Sequence, residues 1–262
     1  MRKINLLKEL QSFYVSKLPK FVVKDTDNFE CFLFMEFNWS NNPIVLDPEY
    51  LDERFSIFDK YTFPSINAQT DNNFNWILFL NDKTPQKYKD KLNYYKENAN
   101  MNLILEYISG DNLGISELMR KYYSFNTKYL LTCRCDNDDM LAINYIEKLK
   151  ENFRPVDNMF IDFTQGYCLN HEDGTLNNYK SRSNHFIAYV EKTNPDKVLT
   201  TVFCCNHAFA KKKGLIRRIN NKKYPLWCEV IHGTNMVNYL QGDKVNNSEQ
   251  KYFNDNFIIK ND

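Results

Sequence analysis

The sequence predicts an α/β chain built on a parallel sheet with crossover helices, turning mixed in its second half. Three observations carry this: apolar runs of strand length, amphipathic stretches between them at helical spacing, and closely spaced strands after Phe153. The 262 residues suit one large α/β domain, and no Pro, Gly or Ser-rich linker divides them.

Ile4, Leu7, Gln11, Tyr14 and Leu18 follow helical spacing until Pro19 stops the run. Residues 32–37 form a short apolar strand, followed by the turn-rich Asn38-Trp39-Ser40-Asn41-Asn42-Pro43. Asp47-Pro48-Glu49 supplies an N-cap, a proline at the first helical position and an early acid, with Leu51, Phe55 and Phe58 on one face. The continuous apolar run 76–80 has the character of a strand buried on both faces, as do 103–107 and 129–133. Thr84-Pro85 repeats the helix-start device, and Tyr88, Leu92 and Tyr95 carry that helix to about residue 97. Ala142, Tyr145, Ile146, Leu149 and Phe153 mark a further helix, and strands follow at 160–163, 185–190 and 199–203.

Lys+Arg 34 against Asp+Glu 33 leaves a net charge of +1, which excludes the bulk positive field of nonspecific nucleic-acid binding. Seven glycines argue against glycine-rich phosphate loops, and neither a Walker motif nor GxGxxG occurs. The 7 cysteines, an odd number without a CxxC pair, fit neither a disulfide framework nor structural zinc. Charge interrupts the apolar residues of 1–20, so no signal peptide is expected, and no run is long enough to span a membrane. The chain therefore reads as reduced and cytoplasmic.

The most informative segment is Arg134-Cys135-Asp136-Asn137-Asp138-Asp139, between an apolar strand and a helix. In open α/β sheets ligands bind at the carboxyl ends of strands. Carboxylates held this close repel one another unless a cation offsets them, and oxygen ligands suit Mg²⁺ or Mn²⁺. The alternative is that Asp138 or Asp139 caps the following helix. A cap accounts for one aspartate but not for Asp136 or Arg134.

Asp-x-Asp-Asp after a hydrophobic strand resembles the metal-binding signature of GT-A glycosyltransferases. Glu53-Arg54-Phe55, Phe63-Pro64-Ser65, Gln69-Thr70, Phe74-Asn75-Trp76 and Thr84-Pro85 lie upstream, and Trp227, Glu229 and His232-Gly233-x-Asn235 downstream. Together these are similar to the rhamnosyltransferase family of bacterial proteins with a GT-A-like catalytic domain. The chain departs from the pattern at Met35-Glu36-Phe37-Asn38, where an arginine is expected before Phe-Asn.

The resemblance implies a GT-A-like nucleotide-diphospho-sugar transferase fold, α/β with a mixed central sheet flanked by helices. Residues 31–240 would form this domain, with a donor lobe at 31–153 and an acceptor lobe at 154–240. Residues 1–30 would be a helical extension and 241–262 a tail. The implied activity is metal-dependent transfer of a sugar from a nucleoside-diphosphate sugar to a hydroxyl of a glycan or lipid-linked glycan acceptor. A sugar nucleotidyltransferase and a non-catalytic carbohydrate-binding protein are the competing classes. By the same resemblance Asp138 is the first metal ligand, Asp139 ligates or caps, and His232 completes the shell, with His207 the fallback. Asp136 faces the ribose or shares the metal, Arg134 pairs with the diphosphate or with the aspartates, and Asp82 lies where a base or ribose contact could sit. Glu229 is the candidate general base, with Glu172 and Asp173 as rivals. Among the tryptophans Trp227 is the better candidate for stacking on a sugar. The basic run Lys211-Lys212-Lys213-Gly214-Leu215-Ile216-Arg217-Arg218 is either a solvated face or a peripheral contact with acidic lipid or an anionic acceptor.

Overall fold

Strand β1, Phe29–Glu36, shows how the sheet is made. Its alternate side chains serve two cores: Cys31, Leu33 and Met35 join one apolar cluster, and Phe32 and Phe34 the other. A strand covered on both faces has no polar face to show, which is why its sequence reads as a continuous apolar run. The chain is described by a computed structural model over residues 29–110, 113–233, 235 and 239–260. Strands β2 (Asn75–Asn81), β3 (Asn102–Ile108) and β4 (Tyr129–Arg134) follow the same logic, with β2 sending Trp76, Leu78 and Leu80 to one cluster and Ile77 and Phe79 to the other. Each fully buried side chain of this size contributes about 1.5–3 kcal/mol.

Helix α1, Pro48–Ile57, begins as expected, the Asp47 carboxylate accepting from the backbone N–H of Glu49 at 2.9 Å and Tyr50 at 3.3 Å. It runs through a π-turn, Phe58–Thr62, into α2, Phe63–Asn67. Helix α3, Gln86–Glu97, starts one residue later than the Thr84-Pro85 pattern predicts. The Thr84 hydroxyl instead donates to the carbonyl of Asn81 and accepts from the Asn38 amide, which leaves Pro85 in the cap position. Helix α4 is Ile115–Tyr122. Strand β5 is Met140–Leu141 and helix α5 Tyr145–Asn152.

The second half adds β6 (Met159–Phe163), β7 (Gln165–Asn170), β8 (Leu176–Lys180) and β9 (Ala188–Lys192). Then come α6 (Ala210–Lys213), β10 (Leu215–Ile219), β11 (Trp227–Ile231), β12 (Asp243–Lys244) and α7 (Asn247–Asn256). Seven strands form the main sheet in the order β10-β6-β9-β4-β1-β2-β3. β4, β1, β2 and β3 are parallel, whereas β9 runs antiparallel to β4 and β6. The mixed central sheet flanked by helices is thus the expected fold class, with β10-β6-β9 from the second half of the chain joined edge to edge to β4-β1-β2-β3 from the first. A second sheet has the order β12-β8-β7-β11-β5.

Several expectations need correction. Residues 199–203 make no strand: buried Glu191 accepts the backbone N–H groups of Thr200 and Thr201, and the chain turns into a 3₁₀ segment, Val202–Cys204, with Thr201 at φ 56°. Strand β9 starts at Ala188 rather than 185, because the Asn184 side chain accepts the N–H of Phe186 and holds a turn there. Residues 241–260 contribute β12, paired with β8, and α7; Phe253 of this helix and Phe257 just past its end pack edge-on to Tyr167 at 5.3 and 5.6 Å. The basic run 211–218 does not stay together as one exposed face. Arg217 is 6% exposed, Arg218 pairs with buried Asp162 at 3.2 Å, and only the three lysines of α6 face outward. Membrane contact through this run gains no support. No helix among the described residues is long and apolar enough to cross a membrane. The helix expected near the start, within residues 1–28, lies outside the described residues.

Candidate active site

The acidic loop begins where β4 leaves the sheet beside β1, the N–H of Cys135 still donating to the Phe34 carbonyl at 3.1 Å. Asn137 then anchors it: its amide donates to the carbonyl of Phe37, and its own carbonyl accepts from Thr62 at 3.1 Å. At its far end the loop enters β5, which pairs antiparallel with β11. The loop is therefore fixed between the two sheets, and β11 brings Glu229 to it, with His232 just beyond the strand.

Asp139 is 1% exposed and bonds in two directions. One oxygen accepts from the N–H of Val230 at 3.0 Å, and the other meets Nε2 of His185 at 2.7 Å. Neither Asp138 nor Asp139 caps α5, whose cap position is Asn144, so the capping alternative fails. Asp136, with its side chain 40% exposed, accepts from Arg134 at 2.9 Å. One ligand atom from each of Asp136, Asp139 and His185 lies within 4.8 Å of the others. Two carboxylate oxygens and an imidazole nitrogen form a donor set suited to Mn²⁺ or Mg²⁺, with the imidazole favouring Mn²⁺.

Asp138 and His232 also meet, at 3.0 Å between Oδ2 and Nε2, on the other side of the loop. There the Arg54 guanidinium lies 2.6 Å from the same oxygen, with the Asn235 amide at 3.5 Å. Burial raises the Asp138 carboxyl, but the His232 hydrogen bond and Arg54 outweigh it and hold the group below the usual carboxylate range. Asp139 behaves oppositely. Burial pushes it up to about 8, only partly opposed by its bond to His185. Burial also works against a charged His185, yet Asp136, Asp139 and Glu229 draw the imidazole up to about 9. Asp136, Asp139 and Glu229 thus all favour positive charge where the His185 ring lies.

Glu229 is 5% exposed, with Oε1 3.7 Å from Nδ1 of His185, and burial raises its carboxyl. Asp82 sits in the exposed turn after β2, on the same carboxyl edge of the sheet but two strands from β4. Its backbone closes that turn, the N–H donating to Ile108 and the carbonyl accepting from Lys89. Among the described residues no hydrogen bond or ion pair links its side chain to the acidic loop. His207 donates from Nδ1 to the Ser183 carbonyl, its ring 6.1 Å from that of His185. Gln69 is structural: its amide donates to the Ser65 and Ala142 carbonyls and accepts the N–H of Ile146.

Trp227 needs correction. It is fully buried, stacked on Phe186 at 5.0 Å with its indole N–H on the Phe163 carbonyl, and has no face free for a sugar. A Cβ at Gly166 would stand 2.1 Å from its ring, so that glycine is required by the close approach of the two strands.

His185 stands in no motif of the sequence. The signal lies in strand direction: β9 runs antiparallel to β4, with Thr132 opposite Tyr189. Continuing that register sets His185 opposite Asp136, so a residue preceding β9 arrives at the carboxyl end of β4. The direction of β9 could not be read from its composition.

The mixed sheet flanked by helices, with an acidic loop at a strand's carboxyl end, is the arrangement that the resemblance to GT-A enzymes implies. The family comparison makes that class explicit: the family described as "Putative rhamnosyl transferase" matches residues 40–247, and the chain belongs to it. It is thereby a glycosyltransferase. No curated protein matches the chain. Among solved structures it is similar to a putative nucleotide-diphospho-sugar transferase from Desulfovibrio desulfuricans G20, at 7% identity and a TM-score of 0.37, over 77% of this chain and 80% of that one. It is also similar to HddC from Yersinia pseudotuberculosis, at 11% identity and a TM-score of 0.32, over 72% and 89%. Likenesses this distant carry no functional argument.

Proposed function

We propose that the chain moves a sugar from a nucleoside-diphosphate sugar to a hydroxyl of a bacterial surface polysaccharide or other glycan, with a divalent ion in the site. The observation that carries this reading is the convergence of Asp136, Asp139 and His185 within 4.8 Å, beside Glu229, in a member of this family. These three residues would hold the ion. Bound there, Mn²⁺ or Mg²⁺ offsets the charge that develops on the departing diphosphate.

Asp138 and His232 extend the acid and imidazole set across the loop, but Arg54 already neutralises Asp138 and would repel a dication. Their role in this reading is to fix the loop's far wall. Arg134, a planar and permanently charged donor beside Asp136, is suited to the diphosphate oxygens. In this reading Asp82, two strands away on the same sheet edge, would contact the ribose or base. Glu229 takes the proton of the attacking hydroxyl. Its burial raises the carboxyl's proton affinity, as a general base requires.

The test is a thermal-shift panel of UDP, dTDP and GDP sugars with and without Mn²⁺, followed by assay of donor hydrolysis. One donor should stabilise the chain only with Mn²⁺ present and be turned over. Stabilisation by no sugar nucleotide, with or without metal, would remove the reading.

A further inference from the structure

A cavity of about 700 Å³ lies between the 220–225 loop and the start of α7. Its walls include Tyr167, Lys222, Lys223, Tyr224, Glu249 and Tyr252. None of these takes part in the acidic loop.

The cavity is built rather than incidental. Asn221 is fully buried, exchanges two hydrogen bonds with the backbone of Gln165 at 2.9 and 2.8 Å, and donates to the Tyr224 carbonyl at 3.1 Å. That clamp fixes the Lys222-Lys223-Tyr224 loop to the edge of β7. Opposite it, Tyr167 rests edge-on against Phe253, and its hydroxyl donates to the Glu249 carbonyl at 3.3 Å.

The charge balance points to an anion. Glu249 is already committed, one carboxylate oxygen accepting from the Asn178 amide and the other from the N–H of Asn246 in a capping box. Lys222 and Lys223 are exposed and make no ion pair among the described residues. Tyr224 and Tyr252, both half-buried, supply flat apolar surface with a polar edge, the kind of wall that accepts a sugar ring. Lysine heads add compact positive charge.

Strand register separates this cavity from the acidic loop. Cys228 pairs with Tyr167 and Glu229 with Cys168, so Tyr167 and Glu229 point to opposite faces of one sheet. A ligand in this cavity, on the Tyr167 side of the sheet, is not the group that Glu229 would deprotonate.

We propose that this cavity is a second carbohydrate site, which binds an anionic sugar, carboxylate-bearing or phosphate-bearing, away from the acidic loop. The claim concerns binding alone and does not rest on the transferase reading.

The test titrates the full chain with trigalacturonic acid, glucose 6-phosphate and maltotriose by calorimetry. At least one anionic probe should bind about tenfold or more tightly than maltotriose, and the arm that binds identifies the source of the charge. Lys222→Gln with Lys223→Gln should weaken that probe by about tenfold or more, and Tyr224→Ala should also weaken it. Asp139→Asn should leave it unchanged, and an unchanged melting temperature in the lysine variant confirms an intact fold. Absence of anionic binding, equal binding of maltotriose, or indifference to the lysine pair would overturn the proposal. Mn²⁺ and sugar-nucleotide binding are measured separately, so failure here is distinguishable from failure of the transferase reading.

Discussion

The Arg54 guanidinium lies 2.6 Å from the Asp138 carboxylate, joining α1 to the acidic loop through side chains only 9% and 13% exposed. Removing one partner of a buried pair leaves the other charged and unmatched, at about 3–5 kcal/mol. Asp138→Asn should therefore lower the thermal midpoint by roughly 10 °C, at about 2–4 °C per kcal/mol. Arg54→Met combined with Asp138→Leu should recover most of that loss, because an apolar pair of similar volume carries no desolvation cost. Circular dichroism melts of the parent chain and the two variants check this, and a double variant no more stable than Asp138→Asn would refute the pairing.

Mn²⁺ should stabilise the chain through Asp136, Asp139 and His185. At a hundredfold excess over Kd the gain is about 2.7 kcal/mol, and EDTA should reverse it. His185→Gln and Asp139→Asn should abolish the shift, whereas His232→Gln should retain it. Were His232→Gln to lose the shift while His185→Gln kept it, the cation would belong with Asp138 instead.

Local and long-range information separate in what the sequence shows of the site. Strands β1 to β4 were legible because double burial writes an apolar run into each, and the acids 136–139 were legible as a cluster at a strand's end. Arg54 stood within a recognised motif, yet its chemistry depends on a partner 84 positions away. His185 depends on the direction of β9. Strands β7 and β8 carry Gly, Asn and Gln in place of an apolar run, because one wall of the second sheet is polar or pinned against Trp227. The last helix falls in the stretch expected as a tail, because its polar sequence does not show that Phe253 and Phe257 close the core over Tyr167.

Glu229→Gln keeps the size and burial of the side chain and removes its ability to accept a proton. Transfer should fall by about 10²–10⁴, the usual contribution of a positioned base, with donor affinity unchanged. Calorimetry with the sugar nucleotide and a single-turnover transfer assay separate the two. Turnover equal to that of the parent chain would place the base elsewhere.

The turn that presents His185 is held by Asp162, which is fully buried. Its oxygens accept from the N–H of Ser183 at 2.9 Å and the Asn184 amide at 3.3 Å, with Ser183 in the left-handed region at φ 54°. Burial raises its carboxyl above the ordinary value of 3.8, and the Ser183 hydrogen bond and Arg218 only partly oppose the rise. The folded chain therefore binds this proton more tightly than the unfolded chain does. The stability it contributes is complete below pH 3.8 and is lost as pH rises through the folded value. Asp162→Asn cannot titrate, so the stability of the parent chain relative to this variant should decline as pH is raised from 4 to about 7 in urea titrations. Asp162→Ala frees the turn as well, and should weaken Mn²⁺ binding by about 10–100-fold through loss of the His185 orientation. Mn²⁺ affinity equal to that of the parent chain would mean that the turn stands without this carboxylate.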